Sequence, residues 1–474
     1  MNKSKINMNV EEKNEYRIAR RYCLPIYVSV GVALLYAMRV SLSVAIIKMT
    51  KKLEVENETQ YACFYFNTTS HNNSGEFDWS ENLQSWILSS FYYGYTIFNI
   101  PGGILADRIG GKNAILFATL SSAILTMLTP LSAYINVSVL MGLRFIEGVV
   151  ECPFYTGCAV ILNKWSLKKE KTTFVAIAFS GAYIGSCISQ PITGFLCSFK
   201  LMNGWPLSFY LFGVLGLLWC SGWYAFAAEL PANSAFLSLQ EKIELKYDNE
   251  NIKTNPLVRI PWKQFLTCVP LYGICVAQYG FDMNFYLYLN CLPTYISNVF
   301  GLSISNNGLL NGIPFIFIFL GDLSISFLTD YIRRHYLSTR MTRAIVSLTV
   351  ATLAAVAGFF IETVGCNPYA VIALVSLLLF ATGGFMAQTG PNILELFPNF
   401  TGIGFGFLNT ASNFTGIISP YIADIFTQGH IHSRSHWQHA FDFANISIVV
   451  GAIVYAAALK TEPRKFALVH QDSI

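Results

Sequence analysis

Apolar positions in this chain run together in long blocks instead of alternating with polar ones. The blocks fall at 24–47, 84–105, 113–133, 137–161, 173–197, 207–228, 264–295, 306–328, 343–362, 370–390, 401–426 and 439–460. A run of about twenty apolar residues spans a bilayer as a helix, and only helices and closed barrels satisfy the backbone in lipid. Barrel strands would be short and alternating. The pattern therefore predicts an all-α membrane protein with twelve transmembrane helices.

Composition agrees: 53% of the residues are hydrophobic and 12% charged, against about a quarter charged in soluble domains. The first block follows more than twenty polar residues and lacks a small-residue cleavage site, so it reads as a retained helix. With the N-terminus placed in the cytoplasm, 24 Lys and Arg fall on the cytoplasmic side and five outside, Lys48, Lys51, Lys52, Lys200 and Arg434. That bias predicts both termini inside. The net charge of +4 then reflects loop asymmetry and not nucleic-acid binding. The expected plan is a cytoplasmic tail (1–23), a six-helix bundle (24–228) with an extracytoplasmic loop (48–83), a cytoplasmic linker (229–263), a second six-helix bundle (264–460) and a cytoplasmic tail (461–474). Two repeats of six related about the membrane normal would give this layout.

Loop 48–83 carries three glycosylation acceptors, Asn57, Asn67 and Asn72, each followed by Thr or Ser at the second position. Of the eleven cysteines, only Cys63 and Cys366 fall in loops on the same side. A disulfide between them is conceivable but not expected from so sparse a pattern.

After the second block comes Gly103-Ile-Leu-Ala-Asp107-Arg108-Ile-Gly110-Gly111-Lys112. It is a short turn with an Asp–Arg pair at a helix end, suited to locking two helices in one conformation. A degenerate copy, Asp330-Tyr-Ile-Arg333-Arg334, follows the eighth block. This stretch resembles the signature loop of the major facilitator superfamily. Ser90-Phe-Tyr92-Tyr93-Gly-Tyr95, Ile100-Pro-Gly-Gly103, Arg39-Val-Ser-Leu-Ser-Val-Ala-Ile, Arg144-Phe-Ile-Glu147-Gly-Val-Val-Glu151, Leu292-Pro-Thr-Tyr295, Leu337-Ser-Thr339 and Trp437-Gln438 are similar in content and order to the anion–cation symporter family. That family includes sialin, the vesicular glutamate transporters and the sodium–phosphate cotransporters, and the pattern here is sialin-like. The resemblance covers about residues 20–460. It implies two six-helix bundles around a central cavity, alternating access, no cofactor and a monomer whose partners are the bilayer, a small organic anion and a proton or sodium ion.

Charges inside a bilayer are expensive and mark a pathway or binding site. Arg39 lies in the first span, with Ser43 one turn on; Arg144, Glu147 and Glu151 share one face of the fourth span. Two guanidiniums from different spans suit a carboxylate or phosphate. Two neighbouring carboxylates are candidates for a coupled proton, since neutralising one relieves their repulsion. The bland alternative is an intrahelical Arg144–Glu pair that serves packing alone. The resemblance implies the functional reading, with Arg39, Arg144, Tyr92 and Tyr286 for substrate and Glu147 and Glu151 for the proton. Tyr93 and Asn290 could also line the path.

Departures from the family narrow the substrate. Leu88 stands where vesicular glutamate transporters have histidine, and Phe281 where they have arginine, which disfavours a glutamate-type site. Cys152 replaces a glycine, Ser166–Lys171 lacks the usual proline-rich run, and Ile393 and Glu395 stand where His and Asp are common. Asp282 and Asp322 could line the cavity or lie near helix ends. His430, His432, His436 and His439 are expected in a solvated outer loop; luminal pH sensing or metal binding is the sharper alternative.

The expected function is proton-coupled transport of an acidic sugar or similar carboxylate, in a lysosomal, vesicular or plasma membrane. A sodium-coupled phosphate or urate-type transporter is the alternative in the same class. A transporter-like receptor and a membrane-embedded enzyme are rivals from other classes; no nucleophile–base pair, metal motif or phosphate loop supports the last.

Overall fold

A computed structural model describes residues 20–51, 63, 75–167, 171–249, 261–397, 401–464 and 467. Its helices run α1 (Cys23–Met49), α2 (Glu81–Ile109), α3 (Gly111–Ile135), α4 (Val137–Glu151), α5 (Pro153–Trp165), α6 (Lys171–Phe179), α7 (Gly181–Cys197), α8 (Trp205–Phe226), α9 (Leu239–Asn249), α10 (Trp262–Leu266), α11 (Val269–Phe300), α12 (Ile304–His335), α13 (Thr339–Phe359), α14 (Pro368–Leu396), α15 (Thr401–Thr427) and α16 (Arg434–Ala458). Each predicted block falls on a helix or a consecutive pair, with ends shifted by a few residues.

Local chemistry sets many of the boundaries. The Ser80, Ser303 and Ser338 side chains accept from backbone N–H groups at the starts of α2, α12 and α13, and Asn136 and Asn367 do so for α4 and α14. Gly110, at φ +85°, turns α2 into α3 in one residue. The fourth span is continuous in direction but divides at Cys152–Pro153, because Pro153 has no N–H to extend the ladder.

Among the described residues, nine helices are long and apolar enough to cross a membrane on those grounds alone. Helices α2, α11 and α15 are longer than most, at 29, 32 and 27 residues, but more polar. They carry buried Asn99, Gln278, Asp282, Asn284, Asn290 and Asn413. Buried polar positions lower the average hydropathy, so these three spans belong to the interior between the bundles.

Helices α1–α8 form one bundle, with α2 on α4, α3 on α8 and α1 on α7. Helices α11–α16 form the other, with α12 on α14 and α11 on α16. The bundles meet along α2 with α15, α7 with α12 and α1 with α11. Ser85 Oγ donates to Pro420 O (3.3 Å), Ser89 Oγ to Ile417 O (3.0 Å), and the Tyr93 and Tyr421 hydroxyls are 3.0 Å apart. On the other seam a Cβ on Gly194 would lie 3.0 Å from the Gly308 Cα; only glycine permits this approach. These contacts lie toward the face where α1 ends and α2 begins.

Cys63 and Cys366 form a disulfide at that face, with Cα atoms 5.2 Å apart. This corrects the sequence expectation. The partners are 303 residues apart in sequence, and packing of the two bundles brings them together, which cysteine spacing cannot reveal. The Cys63 N–H also donates to Val299 O at 2.9 Å. A second correction concerns the histidines: α16 begins at Arg434, so His436 and His439 are helical. His430 and His436 stack with centroids 4.4 Å apart. The acceptors Asn57, Asn67 and Asn72 lie outside the described residues.

Candidate functional site

The charged residues of the first bundle converge at mid-depth. Arg39 pairs with Glu151, and Arg144 Nη1 donates to Glu147 Oε2 at 2.8 Å. Arg144 Nη2 donates to the Arg39 carbonyl at 3.1 Å, and Thr126 Oγ1 to Glu147 Oε1 at 2.9 Å. All four charged side chains are at most 5% exposed. The spacing of Arg144, Glu147 and Glu151 explains this: one face of α4 turns Arg144 and Glu151 to α1 and Glu147 to Thr126 of α3, and two cations balance two anions. Burial of such charges is tolerable only when they are paired and hydrogen-bonded.

The Arg39 guanidinium also sits in an aromatic box. Its Cζ lies 4.4 Å from the Phe91 ring centroid, 4.9 Å from that of Tyr36 and 5.0 Å from that of Tyr95. Among the described residues, the Nε atoms of Arg39 and Arg144 have no hydrogen-bond partner. Both guanidiniums lie against the Phe91 ring, with Cζ atoms 4.4 and 5.6 Å from its centroid, and each holds a glutamate in this conformation. The intrahelical Arg144–Glu147 pair anticipated as the bland alternative is present.

Tyr92 and Tyr286, from opposite bundles, meet edge to face with centroids 5.1 Å apart. The Tyr92 hydroxyl faces Asn290 Oδ1 at 3.4 Å, and the Tyr286 hydroxyl donates to Asn413 Oδ1 at 3.2 Å. Asn290 Nδ2 lies 3.4 Å from Ser419 Oγ. Ser43 does not reach this group; its hydroxyl caps the Val40 carbonyl at 2.7 Å.

One turn below Tyr286 on α11, Asp282 is 5% exposed. It accepts from Gln278 Nε2 at 2.7 Å and hydrogen-bonds Ser412. Thr389 Oγ1 donates to Gln278 Oε1 at 2.8 Å, which fixes the amide so that its NH₂ points at Asp282. Asp282 and Asp322 both lie well inside their helices, so neither is a helix-end residue. Asp322 is only partly buried.

The signature turn is organised by a residue that sequence reasoning passed over. Glu229 accepts from the Gly111 and Lys112 N–H groups (3.2 and 2.8 Å) and pairs with Lys164 at 2.5 Å. It is an anion at the exposed N-terminus of α3. Gly103 lies 3.5 Å, as a Cβ, from the Thr156 hydroxyl, Arg108 is exposed, and the Asp107 side chain is outside the described part. In the second copy Asp330 pairs with Arg333 at 3.1 Å within α12, both well exposed. Thr126 and the aromatic box were also missed. Thr126 had no signal, but Tyr36, three residues before Arg39, shares its helix face.

Twelve spans in two bundles around buried, paired charges at mid-depth define a membrane transporter. The sequence pattern of the Major Facilitator Superfamily matches residues 28–420. The chain is 32% identical to sialin of Homo sapiens over 460 residues, covering 94% of this chain and 91% of sialin. It is 29% identical to vesicular glutamate transporter 3 of Danio rerio, covering 95% of this chain and 75% of that one. A solved bacterial homologue of the human lysosomal transporter Spinster, in an inward-facing and occupied conformation, shares the fold with a TM-score of 0.63. Its identity is 14%, over 92% of this chain and 96% of that one. The chain therefore belongs to the major facilitator superfamily, in the group that holds sialin and the vesicular glutamate transporters, and it is an integral multi-pass membrane protein and not an enzyme.

Proposed function

We propose that this protein carries a small organic anion, an acidic sugar or similar carboxylate, together with a proton by alternating access. The observation that carries the reading is the pairing of Arg39 with Glu151 and of Arg144 with Glu147 in one buried cluster. An anion gains a guanidinium only when a glutamate lets go, and a glutamate lets go most readily when it takes up a proton. Anion and proton therefore enter the site together, and loss of the anion returns each arginine to its glutamate. Tyr92 and Tyr286, in contact across the bundles, bound the site on the closed side.

The two bundles, 24–228 and 264–460, rock about this site, with the turn at Gly103, Asp107, Arg108 and Gly110 and its copy at Asp330 and Arg333 changing partners. The closed face carries the Cys63–Cys366 disulfide, a bond of oxidising compartments. Together with the charge bias, this supports a reading with this face outside, the termini in the cytoplasm and glycans on Asn57, Asn67 and Asn72. The conformation is then closed toward the outside, in a lysosomal, vesicular or plasma membrane.

The test is uptake of labelled anions into proteoliposomes under imposed proton or sodium gradients. Glucuronate should accumulate under a proton gradient. Sodium-driven uptake of phosphate or urate would replace this reading with the alternative, and binding without uptake would make the protein a receptor.

A further inference from the structure

We infer that Asp282 is a specificity residue that selects a monocarboxylate whose far end carries hydrogen-bond donors, hydroxyl or ammonium, and rejects dianions. This rests on the proposed anion site and concerns what stands opposite it. The four charges of the first bundle are mutually compensated. Asp282, on the second bundle, has no cationic partner among the described residues; its partners are the neutral Gln278 and Ser412. A buried carboxylate left in this way lacks the compensation that buried charges ordinarily have.

Its surroundings hold it as an acceptor. Thr389 occupies the Gln278 carbonyl, so the amide can offer Asp282 only its N–H groups. The carboxylate keeps accepting capacity beyond these bonds, since two oxygens take about four hydrogen bonds.

Its position puts that capacity opposite the arginines. Asp282 and Tyr286 are four residues apart on one face of α11. Tyr286 touches Tyr92, whose ring lies 5.9 Å from the Arg39 guanidinium carbon. A ligand beside this tyrosine pair has a cationic group toward the first bundle and an anionic acceptor toward the second. A carboxylate with hydroxyls or an ammonium at its other end satisfies both. A dicarboxylate sets its second charge against Asp282. A site built around a polar contact discriminates sharply against ligands that leave it unpaired.

The experiment compares wild type with Asp282→Asn and Asp282→Ser in proteoliposome counterflow. The probes are glucuronate (hydroxyl donors), 4-aminobutyrate (ammonium), glutarate (a dicarboxylate) and butyrate (neither). Ligand-induced thermal stabilisation of the purified proteins is measured alongside. Wild type should prefer glucuronate or 4-aminobutyrate over glutarate, and which of the two is preferred identifies the donor. In Asp282→Asn the preferred probe should weaken at least about tenfold, the loss of a strong charge-assisted bond, while glutarate improves. A gain for glutarate cannot come from misfolding. Unchanged selectivity in both variants, or a changed proton dependence with selectivity intact, overturns the inference. Stabilisation by the probes without counterflow would count against the transport reading while still scoring Asp282 through binding.

Discussion

Glu151→Gln keeps the side-chain shape and removes the charge that Arg39 is paired with. Deleting one partner of a buried ion pair costs about 3–5 kcal/mol, and the amide oxygen recovers about 1 kcal/mol through a neutral hydrogen bond. The aromatic box around Arg39 is the same before and after and offsets nothing. The unloaded carrier is therefore destabilised by about 2–4 kcal/mol, a burden that a bound carboxylate lifts by re-pairing Arg39. Anion affinity should rise at least about tenfold, since 1.4 kcal/mol is a factor of ten. Driven accumulation should collapse, because the variant mimics a carrier that never releases its proton. With one proton per anion, a gradient of about two pH units supplies about 2.7 kcal/mol, roughly a hundredfold accumulation at the same exchange rate. Wild-type proteoliposomes should approach that ratio and Glu151→Gln should stay near one, with counterflow exchange retained. Glu147→Gln tests the same logic at Arg144. If both variants still accumulate anion under an inward proton gradient, the coupling scheme is wrong and the ion moves elsewhere. If counterflow is lost too, the glutamates only hold the arginines in place.

Other outcomes follow from the same geometry. Arg144→Lys keeps the charge but cannot reach both Glu147 and the Arg39 carbonyl as a planar fork does; uptake should fall at least about tenfold with surface expression retained, and near-normal uptake removes Arg144 from the substrate site. N-glycosidase should shift the mobility of the expressed protein, and joint replacement of Asn57, Asn67 and Asn72 should abolish the shift; a surviving shift contradicts the topology. Cleavage at a site inserted in linker 250–260 should leave one species on a non-reducing gel and two on a reducing gel, and Cys63→Ser should give two under both conditions.

The sequence carries the spans well because lipid demands an apolar run per crossing, and the charge bias needs only counting. It also places Arg39, Arg144, Glu147 and Glu151 together, since one helix periodicity and one rare residue class suffice. What it hides is pairing between distant segments. Nothing at Cys63 points to Cys366, nothing at Glu229 points to the start of α3, and Thr126 looks like any polar residue in an apolar span. Asp282 was visible as an intramembrane acid; that no cation among the described residues pairs with it is a property of three helices at once.

The two seams that hold the bundles together at the closed face differ in how they meet water. Between α7 and α12 the contact at Gly194 and Gly308 is backbone against backbone, and the buried side chains of Gln190 and Thr193 beside it have no hydrogen-bond partner among the described residues. Between α2 and α15 the contact is made by Ser85, Ser89 and the Tyr93–Tyr421 hydroxyls against carbonyls and each other. Each of those groups must be solvated once separated. If this face opens as the proposed alternating access requires, the hydroxyls that seal the closed carrier along α2 and α15 become part of the lining of the open one.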